Sequence, residues 1–138
     1  MFITNSPEET EKIGRETGIT AKVGDIFCLS GNLGAGKTVF AKGFARGLGI
    51  NDEVLSPTYT IIHEYFGRLP FYHIDAYRCG LSDADELGLC EYLFGSGITL
   101  VEWAENIAGI LPEYSQWIYI SKTLNNDNAR IITFGKPA

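Results

Sequence analysis

The sequence has no C-x-x-C pair, no basic stripe and no long apolar run, and each absence removes a class of protein. Its three cysteines, Cys28, Cys79 and Cys90, are an odd number with isolated positions, which argues against a disulfide framework or a zinc site and for reduced, mostly buried thiols. Lys and Arg number 11 against 17 Asp and Glu, for a net charge of −6. The basic residues stand singly, so the chain has no electrostatic footprint for gripping a phosphate backbone, and any nucleic acid must be held by a partner. No segment approaches the roughly 18 consecutive apolar residues of a membrane span. The start carries Glu8, Glu9 and Glu11 rather than a basic then apolar leader, so the expectation is a cytoplasmic protein. There is no repeat, low-complexity tract or linker either. The 138 residues read as one domain, with little room for a separate substrate lid.

What is present is a glycine loop in a definite setting. Gly31, Asn32, Leu33, Gly34, Ala35, Gly36, Lys37 and Thr38 fit G-x-x-x-x-G-K-[ST]. They follow the apolar run Ile26, Phe27, Cys28, Leu29 and open a stretch, residues 39–48, with helical periodicity. In the order strand, loop, helix, the glycines let backbone N–H groups converge on one anion while the new helix adds its positive N-terminal end. Lys37 then reaches the β- and γ-phosphates of a nucleotide, and the Thr38 hydroxyl is placed to ligate Mg²⁺.

Around this loop the chain alternates helix and strand signals. Ser6 as N-cap, Pro7 at the first helical position and Glu9 closing a capping box predict a first helix, which Gly18 should stop. Residues 25–29 read as a buried strand, apolar on both faces. Phe40, Phe44 and Leu48 recur at i, i+4, i+8 beside Ala41 and Ala45, with Gly47 and Gly49 at the end of that helix. Residues 59–65 and 71–75 read as strands. Ser82 caps a short helix through Leu87, Gly88 breaks it, and Leu89, Tyr92, Leu93 and Phe94 make a second apolar turn. Residues 98–101 form another buried strand, and residues 117–120 and 130–134 two late ones around the polar turn 125–128.

Phosphoryl chemistry also needs an acidic group near the metal and a group that orients water. Asp75 ends one expected strand and Glu102 another, so in an open α/β sheet both lie at the carboxyl edge beside the loop. The apolar purity of its strand favours Glu102 as the metal-side carboxylate. Asp75 then polarises the water or holds the metal's outer shell. Ser56 and Thr58 flank Pro57 in a loop where a hydroxyl either touches phosphate or Mg²⁺ or simply caps a turn. His63 and His73 stand in apolar and aromatic strands and read as packed polar residues without a chemical role. Trp103, next to Glu102, suits a core position or a partner surface equally.

Taken together these blocks resemble the TsaE family, the small bacterial ATPases of threonylcarbamoyladenosine formation in tRNA. The resemblance spans nearly the whole chain. It rests on residues 31–38 followed by Ala45, Arg46, Gly47, Leu48, Gly49; on Ser56, Pro57, Thr58, Tyr59, Thr60; on Tyr72, His73, Ile74, Asp75, Ala76, Tyr77, Arg78; and on Glu86, Leu87, then Val101, Glu102, Trp103, with Leu111 and Pro112 after them. It implies an α/β, three-layer P-loop NTPase-like fold with a mainly parallel central sheet, its late strands open to an antiparallel arrangement. It further implies ATP binding and hydrolysis, with Thr38 and Glu102 on Mg²⁺, Lys37 on the phosphates, Asp75 important for hydrolysis and residues 56–58 as a switch. The implied partners are the TsaB and TsaD subunits, TsaD transferring the threonylcarbamoyl group, so that tRNA is met only indirectly and no membrane is involved. Residues 6–10 and a late arginine border the nucleotide in that family, and Arg130 is the candidate here. Asn32 and Ala76 depart from the family's commoner aspartate and leucine, at positions that supply no ligand.

Three rivals compete with this reading. A GTPase needs an N-K-x-D segment, which the sequence lacks. A small-molecule kinase needs an Arg-bearing lid and an acceptor pocket, for which the length leaves little room. A regulatory module that senses ATP without turning it over differs from the ATPase only in turnover.

Overall fold

The computed structural model describes residues 1–31, 35–52, 62–77, 80, 83–84, 87–123 and 126–135. Among them, seven strands join in one sheet: β1 (Phe2–Thr4), β2 (Ile26–Ser30), β3 (Ile62–Phe66), β4 (Pro70–Asp75), β5 (Ile98–Glu102), β6 (Gln116–Lys122) and β7 (Arg130–Phe134). Their order is β1-β7-β6-β2-β5-β4-β3. The pairs β2 with β5, β2 with β6 and β4 with β5 are parallel, while the outer pairs are antiparallel. The sheet is thus mainly parallel at its centre, as expected. Of the two late strands only β7 runs antiparallel. The chain leaves β5 through a 3-10 helix (Ala104–Ile110) and re-enters the sheet beyond β2, so that β6 lies parallel to β2.

Alternation along the strands divides the interior into two layers. Phe27, Leu29, Phe71, Ile98, Leu100, Ile118 and Ile132 meet Phe40, Phe44 and Leu48 of the helix α2 (Lys37–Gly47) and its cap. On the opposite face Ile26, Cys28, Ile74, Val101 and Trp117 pack with Leu89 and Leu93 of α3 (Leu89–Leu93) and with Ala104 and Ile107. Helices therefore cover both sides of the strands, the arrangement that lets a short strand such as β2 be apolar on both faces. No helix among the described residues is long and apolar enough to cross a membrane.

The helix α1 (Pro7–Thr20) lies on α2. Ser6 caps it, its hydroxyl accepting from the Glu9 N–H at 3.2 Å. Glu9 reaches back one residue further than a capping box requires, to the N–H of Asn5. Gly18 does not end this helix. A Cβ on Gly14 or Gly18 would stand 2.3 Å from the carbonyl oxygen of Phe40 or Phe44, and one on Gly43 or Gly47 would stand 2.0 or 2.3 Å from that of Glu11 or Arg15. The glycines are there because the two backbones touch, which a reading of glycine as a helix stop misses. Cys28 is buried as expected, Cys90 is exposed because it falls on the outer side of α3, and Cys79 lies outside the described residues. So do Ser82 and the first residues of the strand expected at 59–65.

Candidate functional site

The parallel strands bring their ends to one edge of the sheet. Leu29 of β2 and Asp75 of β4 both stand in register with Glu102 of β5, so the entrance to the loop and two carboxylates lie side by side. Because β7 runs antiparallel, its first residue, Arg130, falls opposite Lys122, at the edge where β6 ends. Thr4 pairs with Arg130 in turn, which brings the start of α1 to the same edge. Ser30 and Gly31 lead into the loop, and Asn32, Leu33 and Gly34 lie outside the described residues, as do Ser56, Pro57 and Thr58.

Beyond the loop Ala35 is buried, and Gly36 takes φ +101. Only glycine adopts that left-handed conformation without strain. The first bond of α2 runs from the Phe40 N–H to the Gly36 carbonyl at 3.0 Å. The N–H groups of Lys37, Thr38 and Val39 precede that bond, so they have no partner within the helix and face the positive end of its dipole. Arg130 braces this turn from the side, its Nε donating to the Ala35 carbonyl at 2.8 Å and its Nη1 to those of Asp127 and Ala129. It thus lies against the residues that lead from the loop into α2.

Lys37 is the least satisfied group of the site. Its side chain is only 6% exposed, and its Nζ makes no hydrogen bond among the described residues. The ammonium sits 3.8 Å from the centre of the Trp103 ring, a cation–π contact that offsets part of the cost of burial. Burial still holds its pKa below 10.5, against the opposing pull of Glu102, Glu105 and Asp75. Trp103 is itself held in the left-handed region at φ +58, alone among the described non-glycine residues, at a cost of about 1–2 kcal/mol. Tyr77 packs on its indole with ring centres 4.8 Å apart. Trp103 thus faces the loop lysine, a third role beside the core and the partner surface that its position suggested.

The carboxylates differ in their surroundings. Glu102 is buried, and its Oε2 lies 2.6 Å from Nε2 of His73. Asp75 is half-buried. Burial raises its pKa above 3.8, the Tyr77 N–H donated to its Oδ1 at 2.9 Å lowers it, and the nearby Glu102 raises it again. Asn106 donates from Nδ2 to the carbonyls of Ala76 and Tyr77, at 2.8 and 3.1 Å. The chain leaving β4 is thereby tied to the 3-10 helix that follows β5. Glu105, which the sequence reading left unassigned, accepts from the Ser30 hydroxyl at 3.0 Å and links that helix to the strand before the loop.

The described structure therefore brings Gly31, Ala35, Gly36, Lys37, Thr38, Asp75, Glu102 and Arg130 to one edge. His73 is a packed polar residue, as its strand suggested, and its hydrogen bond to Glu102 is what residue order alone did not show. Its two-residue spacing from Asp75 on one strand, with Asp75 in register with Glu102, was the available signal.

A family model described as threonylcarbamoyl adenosine biosynthesis protein TsaE matches residues 4–132. The chain belongs to the TsaE family. The tRNA threonylcarbamoyladenosine biosynthesis protein TsaE of Bacillus subtilis is 51% identical over 132 residues, covering 95% of this chain and 82% of that protein. The Treponema pallidum TsaE is 41% identical over 132 residues, covering 95% and 96%. A crystal structure of YdiB from B. subtilis superposes with a TM-score of 0.84 at 48% identity, over 96% of this chain and 82% of that one. The TsaE match, over residues 4–132, takes in residues 31–38, Asp75, Glu102 and Arg130.

Proposed function

We propose that this protein is the ATP-binding and hydrolysing subunit of threonylcarbamoyl modification of tRNA adenosine, Mg²⁺-dependent and acting with TsaB and TsaD. Family membership and the names of the relatives support the role in threonylcarbamoyladenosine biosynthesis. The observation that carries the nucleotide reading is the Lys37 ammonium, buried without a hydrogen-bond partner among the described residues at the first turn of α2. A buried cation beside N–H groups that have no partner within their helix suits a polyphosphate, which supplies acceptors to both.

The oxygen donors suit Mg²⁺. Among the described residues no three His, Cys, Asp or Glu side chains gather as a metal cluster, but this ion takes only one or two protein ligands and completes its shell with phosphates and water. Thr38 and Glu102 would be those ligands, and the ion they hold would neutralise charge on the phosphates. Lys37 leaves the Trp103 ring for the β- and γ-phosphates, and the N–H groups of the first turn of α2 hold the same anion. Asp75, with one oxygen fixed by the Tyr77 N–H, orients the attacking water with the other. Arg130 holds the carbonyl of Ala35 through its Nε, and residues 56–58 act as the switch that reads the γ-phosphate.

ATP turnover measured with and without TsaB and TsaD tests the reading. Stimulation by the pair is the expected result. No stimulation together with phosphorylation of a small acceptor makes the protein a kinase, and tight binding of ATP with no turnover under either condition makes it a sensor.

A further inference from the structure

His73 is fully buried, stacked 6.0 Å from Phe71 with its ring plane tilted by only 13°. It stands on the α2 side of the sheet, between Phe71 and Asp75 on β4 and opposite Leu100. An apolar residue would pack at least as well there, and buried ion pairs are weak sources of stability. What distinguishes the histidine is its reach. Its Nε2 lies 2.6 Å from Oε2 of Glu102, while its Nδ1 has no hydrogen-bond partner among the described residues. A carboxylate only accepts hydrogen bonds, so Nε2 carries the proton. Leaving Nδ1 as a bare acceptor is cheaper than burying a second, unbonded N–H.

We propose that His73 is the positioning residue for Glu102: by donating Nε2–H to Oε2 it holds the carboxylate in one rotamer and leaves Oε1 to the nucleotide's magnesium. The inference rests on the ATPase reading above and adds to it the device that orders the metal-side carboxylate before metal arrives. Side chains behind a metal ligand typically set affinity by about 10–100-fold. The bond falls on one oxygen of a buried carboxylate whose backbone is also fixed, its carbonyl accepting from the Ala76 N–H at 2.9 Å.

The test uses the whole chain with a non-hydrolysable ATP analogue and Mn²⁺ as the metal, its uptake followed by electron paramagnetic resonance. His73→Phe keeps the ring and the stacking and removes the donor. It should weaken Mn²⁺ binding about 10–100-fold while affinity for the analogue in chelator stays as in the natural chain. His73→Gln, which presents an amide N–H near the same place, should recover most of the loss. In a Glu102→Gln background His73→Phe should cost nothing further. If His73→Phe does not fold, His73→Asn decides, since its amide stops at the Nδ1 position and should show the same loss. Unchanged Mn²⁺ affinity in the folded Phe or Asn variant overturns the proposal, and so does an equal loss in the Glu102→Gln background. A natural chain that binds the analogue neither with nor without metal overturns the ATPase reading and the role of His73 with it.

Discussion

The contact between α1 and α2 and the edge that carries the loop treat polar backbone and charge in opposite ways. Between the helices, glycines let the backbones touch, carbonyl oxygens included, and the packing leaves no room for a methyl group. At the loop edge, a few residues hold a buried ammonium and a histidine nitrogen that find no hydrogen-bond partner among the described residues, and a tryptophan in left-handed backbone. The first region is settled by packing alone, while the second carries local costs that packing elsewhere must cover. The difference separates a part whose task ends with folding from the part that the proposed function assigns to an anion.

The sharpest way to break this contrast is Lys37→Met. It should weaken ATP binding by about 1,000-fold, or about 4 kcal/mol, in calorimetry. The same substitution should raise the unfolding free energy without nucleotide by about 1 kcal/mol at pH 7, because a buried charge is replaced by an apolar stem. The sign follows from the lysine's lowered pKa. Raising the pH through it discharges the folded amine before the unfolded one, so the natural chain gains stability toward pH 10.5 and its gap to the variant closes. A helix-contact variant should do the reverse. Gly43→Ala, whose methyl meets the Glu11 carbonyl, should cost about 3 kcal/mol in urea unfolding and leave the nucleotide affinity of the folded fraction intact.

Smaller effects refine the loop edge. Glu102→Ala should retain nucleotide binding in chelator and lose about 100-fold in turnover, about 3 kcal/mol; unchanged turnover would remove Glu102 from the metal role. Asp75→Ala should likewise spare binding and suppress hydrolysis, by about tenfold. Since Asp75 has a raised pKa, its carboxyl protonates on acidification before an ordinary aspartic acid does. The rate should therefore begin to fall at a pH above that expected from 3.8, and the corresponding limb of the profile should vanish in Asp75→Asn.

Much of this edge could be read from residue order, because β2, β4 and β5 are apolar runs and a glycine loop between strand and helix has few alternatives. Glu102 and Asp75 were legible as strand ends for the same reason. β1 was not anticipated: three residues with Phe2 and Ile3 exposed carry no alternation to detect, and only pairing with β7 makes them a strand. The 3-10 helix was hidden because it begins after a bulky residue in a conformation that sequence signals assign to glycine or asparagine. His73 was legible as a packed polar residue, but its partner was not, because Glu102 lies on another strand, 29 positions away, and only the register of β4 and β5 brings them together.

The fork of Asn106 onto Ala76 and Tyr77 has a mechanical consequence. Asp75 sits just ahead of that clamp and Glu102 just ahead of the helix that provides it, so one side chain fastens the exits of two neighbouring strands to each other directly behind both acidic groups.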